Sequence, residues 1–224
     1  MKYYLDTEFI EGFHKPLFGK KHHFIDLISI GIVCDDGREY YAISKEFDYR
    51  DADNWVKENV VVPIHNEIEN SRWEKYKYMP GYFDTPQKFS HGRFKRNLKY
   101  TGKSLLQIRR EIVDFMGGGI DDMASCFYVP EGTEVYAYYA DYDWVVFCSI
   151  FGRMIDLPSG MPMYCRDLKQ TYDEKNLWWT TEVNRSKNVP NLKDASDYPK
   201  QDKEHNALDD AKWNKKLHDF IKSV

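Results

Sequence analysis

Two carboxylates, Asp6 and Glu8, stand two residues apart in the run Tyr3-Tyr4-Leu5-Asp6-Thr7-Glu8-Phe9. On a strand, whose side chains alternate with a period of two, both fall on one face. Carboxylates held together at the end of an apolar run lose hydration and repel each other. A divalent cation, which prefers oxygen ligands, offsets both costs. The competing reading is an ordinary solvated strand face. Asp143 lies in Tyr138-Tyr139-Ala140-Asp141-Tyr142-Asp143-Trp144, where an apolar strand hands over to a helix. Such handovers open into the crevice at the carboxyl edge of a sheet, although Asp141 or Asp143 could equally cap the helix. His205-Asn206-Ala207-Leu208-Asp209-Asp210-Ala211 joins a histidine to a carboxylate five positions on. Five helical residues rotate by about 140°, so His205 and Asp210 do not share a helix face. With Asn206 as cap, His205 sits on the entry and can reach a bound water, while Asp210 stays fixed on the helix as a ligand and Asp209 faces solvent. A surface histidine at a helix start is the plainer alternative.

The elements that would carry these groups follow from periodicity. Residues 2–9, 25–34 and 38–46 read as strands, the last two joined by Asp35-Asp36-Gly37, a hairpin turn signature. Glu11 to Phe24, with Gly12, Pro16, Gly19 and His22-His23, reads as a loop. A short helix is expected over 51–59, with acids in its first turn. From Asn66 to Gly102 helical periodicity fails, and Trp73, Tyr76, Tyr78, Tyr82, Phe83, Phe89, Phe94 and Tyr100 alternate with basic residues. Ser104 to Met116 is an amphipathic helix capped by Ser104 and ended by Gly117-Gly118-Gly119. That triplet follows a helix, so it does not read as a phosphate cradle. A buried strand at 134–140, a helix at 142–151, a short strand at 161–165, a helix at 166–174, a loop at 180–204 and a closing helix at 205–224 complete the series. The closing helix presents Trp213, Leu217, Phe220 and Ile221 to the core. An antiparallel meander followed by β-α-β units predicts an α/β fold: a mixed five-stranded sheet flanked by helices, with an irregular basic and aromatic insertion at about 66–102.

At 224 residues the chain reads as a single domain, 1–224, carrying that insertion. Its 32 Lys+Arg against 36 Asp+Glu give a net charge of −4, which excludes a uniformly basic coat of the kind that binds duplex by charge alone. Charge is instead local: from Lys88 to Arg110 there are eight Lys or Arg and no Asp or Glu. Mixed with rings, this stretch suits single-stranded nucleic acid through backbone charge and base stacking, or forms a surface arm or dimer contact. The hydrophobic share of 42% supports a substantial core. No apolar run approaches a membrane span, and Met1 to Asp6 lacks the apolar stretch of a signal peptide. Cys34, Cys126, Cys148 and Cys165 form no C-x-x-C pair and read as reduced thiols in a cytoplasm.

Taken in order, Asp-x-Glu, an aspartate after a middle strand, and His-x4-Asp resemble the DEDD exonuclease superfamily, histidine subclass, of ribonuclease-H-like fold. Asp6-Thr7-Glu8-Phe9-Ile10-Glu11, Asp26-Leu27-Ile28-Ser29-Ile30-Gly31-Ile32-Val33, Asp36-Gly37-Arg38-Glu39-Tyr40-Tyr41-Ala42 and the closing His-x-Ala-Leu-x-Asp-Ala carry the likeness further, to the small mycobacterial and phage 3'-5' exoribonucleases. It covers roughly residues 1–60 and 104–224.

The resemblance implies four carboxylates, Asp6, Glu8, Asp143 and Asp210, holding two divalent cations, Mg²⁺ or Mn²⁺, with His205 as general base. It implies phosphodiester hydrolysis by two-metal phosphoryl transfer, in which one ion activates the attacking water and the other stabilises the leaving 3'-oxygen. Nucleoside 5'-monophosphates would be released from single-stranded RNA or 3' overhangs. A neutral imidazole suits the proton transfer because it keeps a free ring nitrogen. By the same match Phe9, Ile10 and Tyr142 adjoin the terminal nucleotide, and Asp143 rather than Asp141 is the ligand. Arg93, Lys95 and Arg96 of the basic stretch are the candidate contacts to the strand. RNA is the expected partner, with single-stranded DNA the alternative on the same scaffold, and close relatives suggest a homodimer. The rival of another class is a non-catalytic nucleic-acid-binding module of ribonuclease-H-like fold, which has no need of four carboxylates and a histidine.

Overall fold

The computed structural model describes residues 1–14, 19–79, 85–121, 123, 126–183, 191–201 and 204–224. Strand β1 (Lys2–His14) opens on Tyr3, Tyr4 and Leu5, each 1% exposed or less, as a central strand covered on both faces requires. Strand β2 (His22–Cys34) is buried without a break from Leu27 to Cys34. The expected turn hands it to β3 (Glu39–Ile43), with Gly37 at φ +92°, a conformation that glycine adopts freely.

Asp53 caps a helical turn, α1 (Asn54–Val56), its carboxylate accepting from Val56 N at 2.8 Å. The helix widens over Lys57–Val61 and continues as α2 (Val62–Tyr76). Next come α3 (His91–Thr101) and α4 (Leu105–Phe115). Ser104 Oγ accepts from Gln107 N at 3.2 Å, the expected cap of α4. Strands β4 (Gly119–Asp121) and β5 (Cys126–Tyr128) pair antiparallel as a small separate sheet. The chain then forms β6 (Glu134–Ala137), α5 (Ala140–Phe151), β7 (Arg166–Asp167), α6 (Leu168–Trp178) and α7 (Ala207–Ser223).

The main sheet has five strands in the order β3-β2-β1-β6-β7. Cys34 N donates to Arg38 O and Ser44 N to Ile28 O, which makes β2 and β3 antiparallel. Asp35 N donates to Lys2 O, which sets the end of β2 beside the start of β1. On its other side β1 takes β6 in parallel, Tyr3 opposite Val135, and β6 takes β7 in parallel, Ala137 opposite Asp167. This is the mixed α/β sheet, flanked by helices, of a ribonuclease-H-like fold.

Several elements depart from the sequence expectation. The segment 66–102 is largely helical among its described residues: it holds most of α2 and all of α3. The buried polar residues His65, Glu69 and Asn97 interrupt the apolar stripes that would have marked these two helices. Strands β1 and β2 run deep into the stretch expected as a loop; Pro16 lies outside the described residues, as do Tyr82 and Phe83. The strand expected at 161–165 is instead Arg166–Asp167, since Pro162 has no N–H to give a ladder. Strand β6 stops at Ala137 because Tyr139 turns left-handed, at φ 56°, and α5 starts at the next residue.

By contact density the chain divides into two compact units, 1–7 with 30–41 and 109–224, and 8–29 with 42–108. In the first, α6 and α7 bring Leu168, Tyr172, Trp213, Leu217, Phe220 and Ile221 onto Tyr4 and Tyr136. The core of the second gathers Ile10, Ile28, Phe47, Val60, Val61, Ile64, Phe94 and Leu98. None of the described helices is long and apolar enough to cross a membrane, and the four cysteines are thiols, not disulfides.

Candidate active site

Helix α7 is set against β1 by three polar residues one turn apart, Asp210, Asn214 and His218, all buried. Asn214 Nδ2 donates to Leu5 O at 2.9 Å. Tyr4 Oη and His218 Nδ1 share a hydrogen bond of 2.9 Å. Because successive turns of α7 meet earlier residues of β1, the helix runs against the strand, and Asp210 arrives beside Asp6. Glu8 follows two residues later on the same strand. Asp6, Glu8 and Asp210 each offer a carboxylate oxygen within 4.8 Å of the others.

The start of α7 is built tightly. Asn206 is its cap, the side chain accepting from Leu208 N at 3.1 Å and Asp209 N at 3.2 Å. His205 precedes it at φ +66°, outside the helix as its spacing from Asp210 requires. Its own N–H donates to Asp210 Oδ2 at 2.9 Å, and its Nε2 lies 3.8 Å from Glu204 Oε2. Gln201 Nε2 donates to Asp210 Oδ1. Burial raises the Asp210 carboxyl above its ordinary value, against the lowering effect of the Gln201 and His205 bonds. This first turn sits directly on β2: a Cβ added to Gly31 would lie 2.2 Å from Ala207 O.

Asp143 is 7% exposed on the first turn of α5. Its Oδ1 accepts from Thr7 N at 2.8 Å and from Thr7 Oγ1 at 2.6 Å. Burial pushes its carboxyl well up; the Thr7 bonds oppose this and the Asp210 carboxylate adds to it. Between Asp143 and Asp141, the buried residue is Asp143, while Asp141 is exposed.

Thr7, Gln201, Asn214 and Gly31 were not singled out by their types. Thr7 carries no local signal: β1 pairs with β6 from Lys2 to Tyr4, and the amide of Thr7, further along, meets the helix after β6.

The remaining sequence candidates are dispersed. Phe9 is half-buried and Tyr142 is 52% exposed on α5. Ile10 is 2% exposed, in the core with Ile28 and Phe47. Arg93 Nη1 lies 3.4 Å from Glu69 Oε2. Lys95 and Arg96 are exposed on α3.

A cluster of carboxylate oxygens, partly desolvated, is the donor set of a hard divalent cation. The thiols stand apart from it, and no softer donor joins it among the described residues. What this geometry can do chemically is concentrate negative charge on three neighbouring carboxylates, the surroundings in which a divalent cation would be held.

Comparison with known proteins gives the family. Residues 95–222 match the model of the 3'-5' exoribonuclease Rv2179c-like domain. Over 175 residues, 78% of this chain and 76% of the relative, the sequence is 31% identical to the 3'-5' exoribonuclease Rv2179c of Mycobacterium tuberculosis strain H37Rv. The same figures hold for the 3'-5' exoribonuclease MT2234.1 of strain CDC 1551. With its fold, its carboxylate cluster and this likeness together, the chain belongs to the Rv2179c-like 3'-5' exoribonuclease domain family.

Proposed function

We propose that this protein is a metal-dependent 3'-5' exoribonuclease that releases nucleoside 5'-monophosphates from single-stranded RNA or 3' overhangs. The observation that carries the reading is the convergence of Asp6, Glu8 and Asp210 within 4.8 Å, with His205 immediately before the helix that supplies Asp210. The names of the family and of its relatives support the direction of attack and the RNA substrate.

Asp6, Glu8, Asp143 and Asp210 would hold two divalent cations, Mg²⁺ or Mn²⁺. Thr7 occupies Oδ1 of Asp143, so Oδ2 is the oxygen offered. When bound, the cations polarise the scissile phosphate and stabilise the leaving 3'-oxygen. His205 takes the proton of the attacking water on a ring nitrogen. Its left-handed backbone is held by the bond from its N–H to Asp210, so the base and a ligand carboxylate are positioned together. Tyr142, exposed one residue before Asp143, offers its ring to the terminal nucleotide, and Phe9 adjoins Glu8.

The test is release of 5'-mononucleotides from RNA and from DNA of the same sequence with Mg²⁺ or Mn²⁺. Asp6→Asn is expected to abolish release and also the rise in melting temperature that a bound cation produces. Unchanged hydrolysis in Asp6→Asn would overturn the assignment, and equal rates on DNA would overturn the RNA preference.

A further inference from the structure

Helix α3 distributes the basic stretch over separate faces. Arg93 and Asn97, one turn apart, turn to the buried Glu69. Asn97 Nδ2 donates to Glu69 Oε1, Gln87 N donates to Oε2 at 3.1 Å, and Arg93 stands at 3.4 Å. These bonds outweigh burial and hold the Glu69 carboxyl below its ordinary value. Arg93, half-buried, is thus paired with that carboxylate. Lys95 and Lys99 line a second face with Asp48 and Arg50. There the Arg50–Asp48 ion pair is already made, and the neighbouring rings of Phe47 and Tyr49 are buried.

The third face is different. Arg96 and Tyr100, again one turn apart, line a cleft of about 540 Å³ with Arg72, Lys75 and Tyr76 of α2. Arg72 is shared with the buried Glu69, its Nη1 4.0 Å from Oε1, while Arg96 and Lys75 line the cleft together with one carboxylate, Glu67. Tyr100 is 79% exposed, and Lys75 Nζ lies 5.1 Å from the centre of the Tyr76 ring. An exposed ring, Tyr100, beside guanidinium and ammonium groups matches the two surfaces of a single strand, base face and phosphates.

We infer that the cleft between α2 and α3 binds single-stranded RNA, with a base stacked on Tyr100 and backbone phosphate on Arg96 and Lys75. The inference rests on the proposed RNA substrate and adds a holding site for the strand beyond the carboxylates. Arg96 belongs to this site; Arg93 does not.

The experiment measures binding of a labelled oligoribonucleotide of about ten nucleotides to the full chain, by fluorescence anisotropy in EDTA, where no hydrolysis occurs. Tyr100→Ala is expected to raise Kd about tenfold. Arg96→Ala and Lys75→Ala, on opposite walls, should each reduce the salt slope by about 0.7. Lys216→Ala, an exposed lysine on α7, controls for simple charge loss and should leave Kd unchanged. Unchanged Kd in Tyr100→Ala and Arg96→Ala would overturn the inference, as would failure of the wild type to bind. If the wild type binds through this cleft but releases no mononucleotide with Mg²⁺ or Mn²⁺, the cleft stands and the exonuclease reading falls. A cleft that binds mononucleotide as tightly as the oligomer would count against a strand-holding role.

Discussion

Gly31→Ala is the sharpest probe of how the site is assembled. The added methyl carbon would meet Ala207 O at 2.2 Å, Ala207 C at 2.3 Å and Leu208 N at 2.4 Å. All three are backbone atoms of the first turn of α7, so no side chain can swing aside. Restoring ordinary contact requires that turn to retreat by about 1 Å, and overpacking of this kind costs about 1–3 kcal/mol. Against a domain stability of about 5–15 kcal/mol the variant remains folded. The same turn carries the Asn206 cap and Asp210, and His205 is bonded to it. A displacement of about 1 Å at a reacting centre can cost about 100-fold in rate. The expected result is therefore a modest fall in Tm with a disproportionate fall in kcat, measured as mononucleotide release from RNA at saturating Mn²⁺. Activity within about threefold of wild type, a small fraction of that predicted loss, would refute the reasoning that β2 sets the position of His205 and Asp210.

Three further predictions test the surroundings. Thr7→Val removes one of the two donors to Asp143 and keeps the shape; the loss of a bond to a charged group, about 1.5–3 kcal/mol, should raise the Mn²⁺ concentration needed for half-maximal activity, and superposable metal titrations would count against it. Asn214→Leu leaves the Leu5 carbonyl without that donor in the core, so Tm should drop by several degrees for a cost of about 1–3 kcal/mol, measured by calorimetry; an unchanged Tm would count against it. Burial depresses His218 from 6.5 to about 4, which means the folded state favours the neutral ring while the unfolded chain protonates first. Its stabilising effect is full above about 6.5 and is lost as pH falls toward 4, amounting to about 3 kcal/mol. The stability of the wild type should fall toward that of His218→Gln as pH is lowered from about 7 to about 4, and parallel pH dependences in the two proteins would contradict the assignment.

The placement of Asp6, Glu8 and His205 was legible because spacing obeys backbone geometry. A strand's period of two joins Asp6 to Glu8, and the five-residue step to Asp210 excludes His205 from α7. The Asn206 and Ser104 caps, the Gly37 turn and the apolar face of α7 are local signals of the same kind. What escaped is tertiary. Helices α2 and α3 are stabilised partly through a buried Glu69 whose partners, Asn97, Gln87 and Arg93, come from elsewhere in the chain, so a linear scan meets only misplaced polar residues. Ile10 sits on the alternating pattern of β1 beside Phe9, yet burial divides the two. Gly31 reads as one more small residue in an apolar strand until the backbone of α7 lies against it.

The acidic trio draws on β1 and α7, elements made early and late in synthesis. Sheet pairing along β1 and β2 can begin while the ribosome is still working, but Asp210 arrives only when α7 has emerged. A half-made chain therefore displays Asp6 and Glu8 without their third companion. On the proposed function, a nuclease translated from RNA is born harmless to its own message and becomes competent only after the ribosome has read past the codons of the helix that carries Asp210.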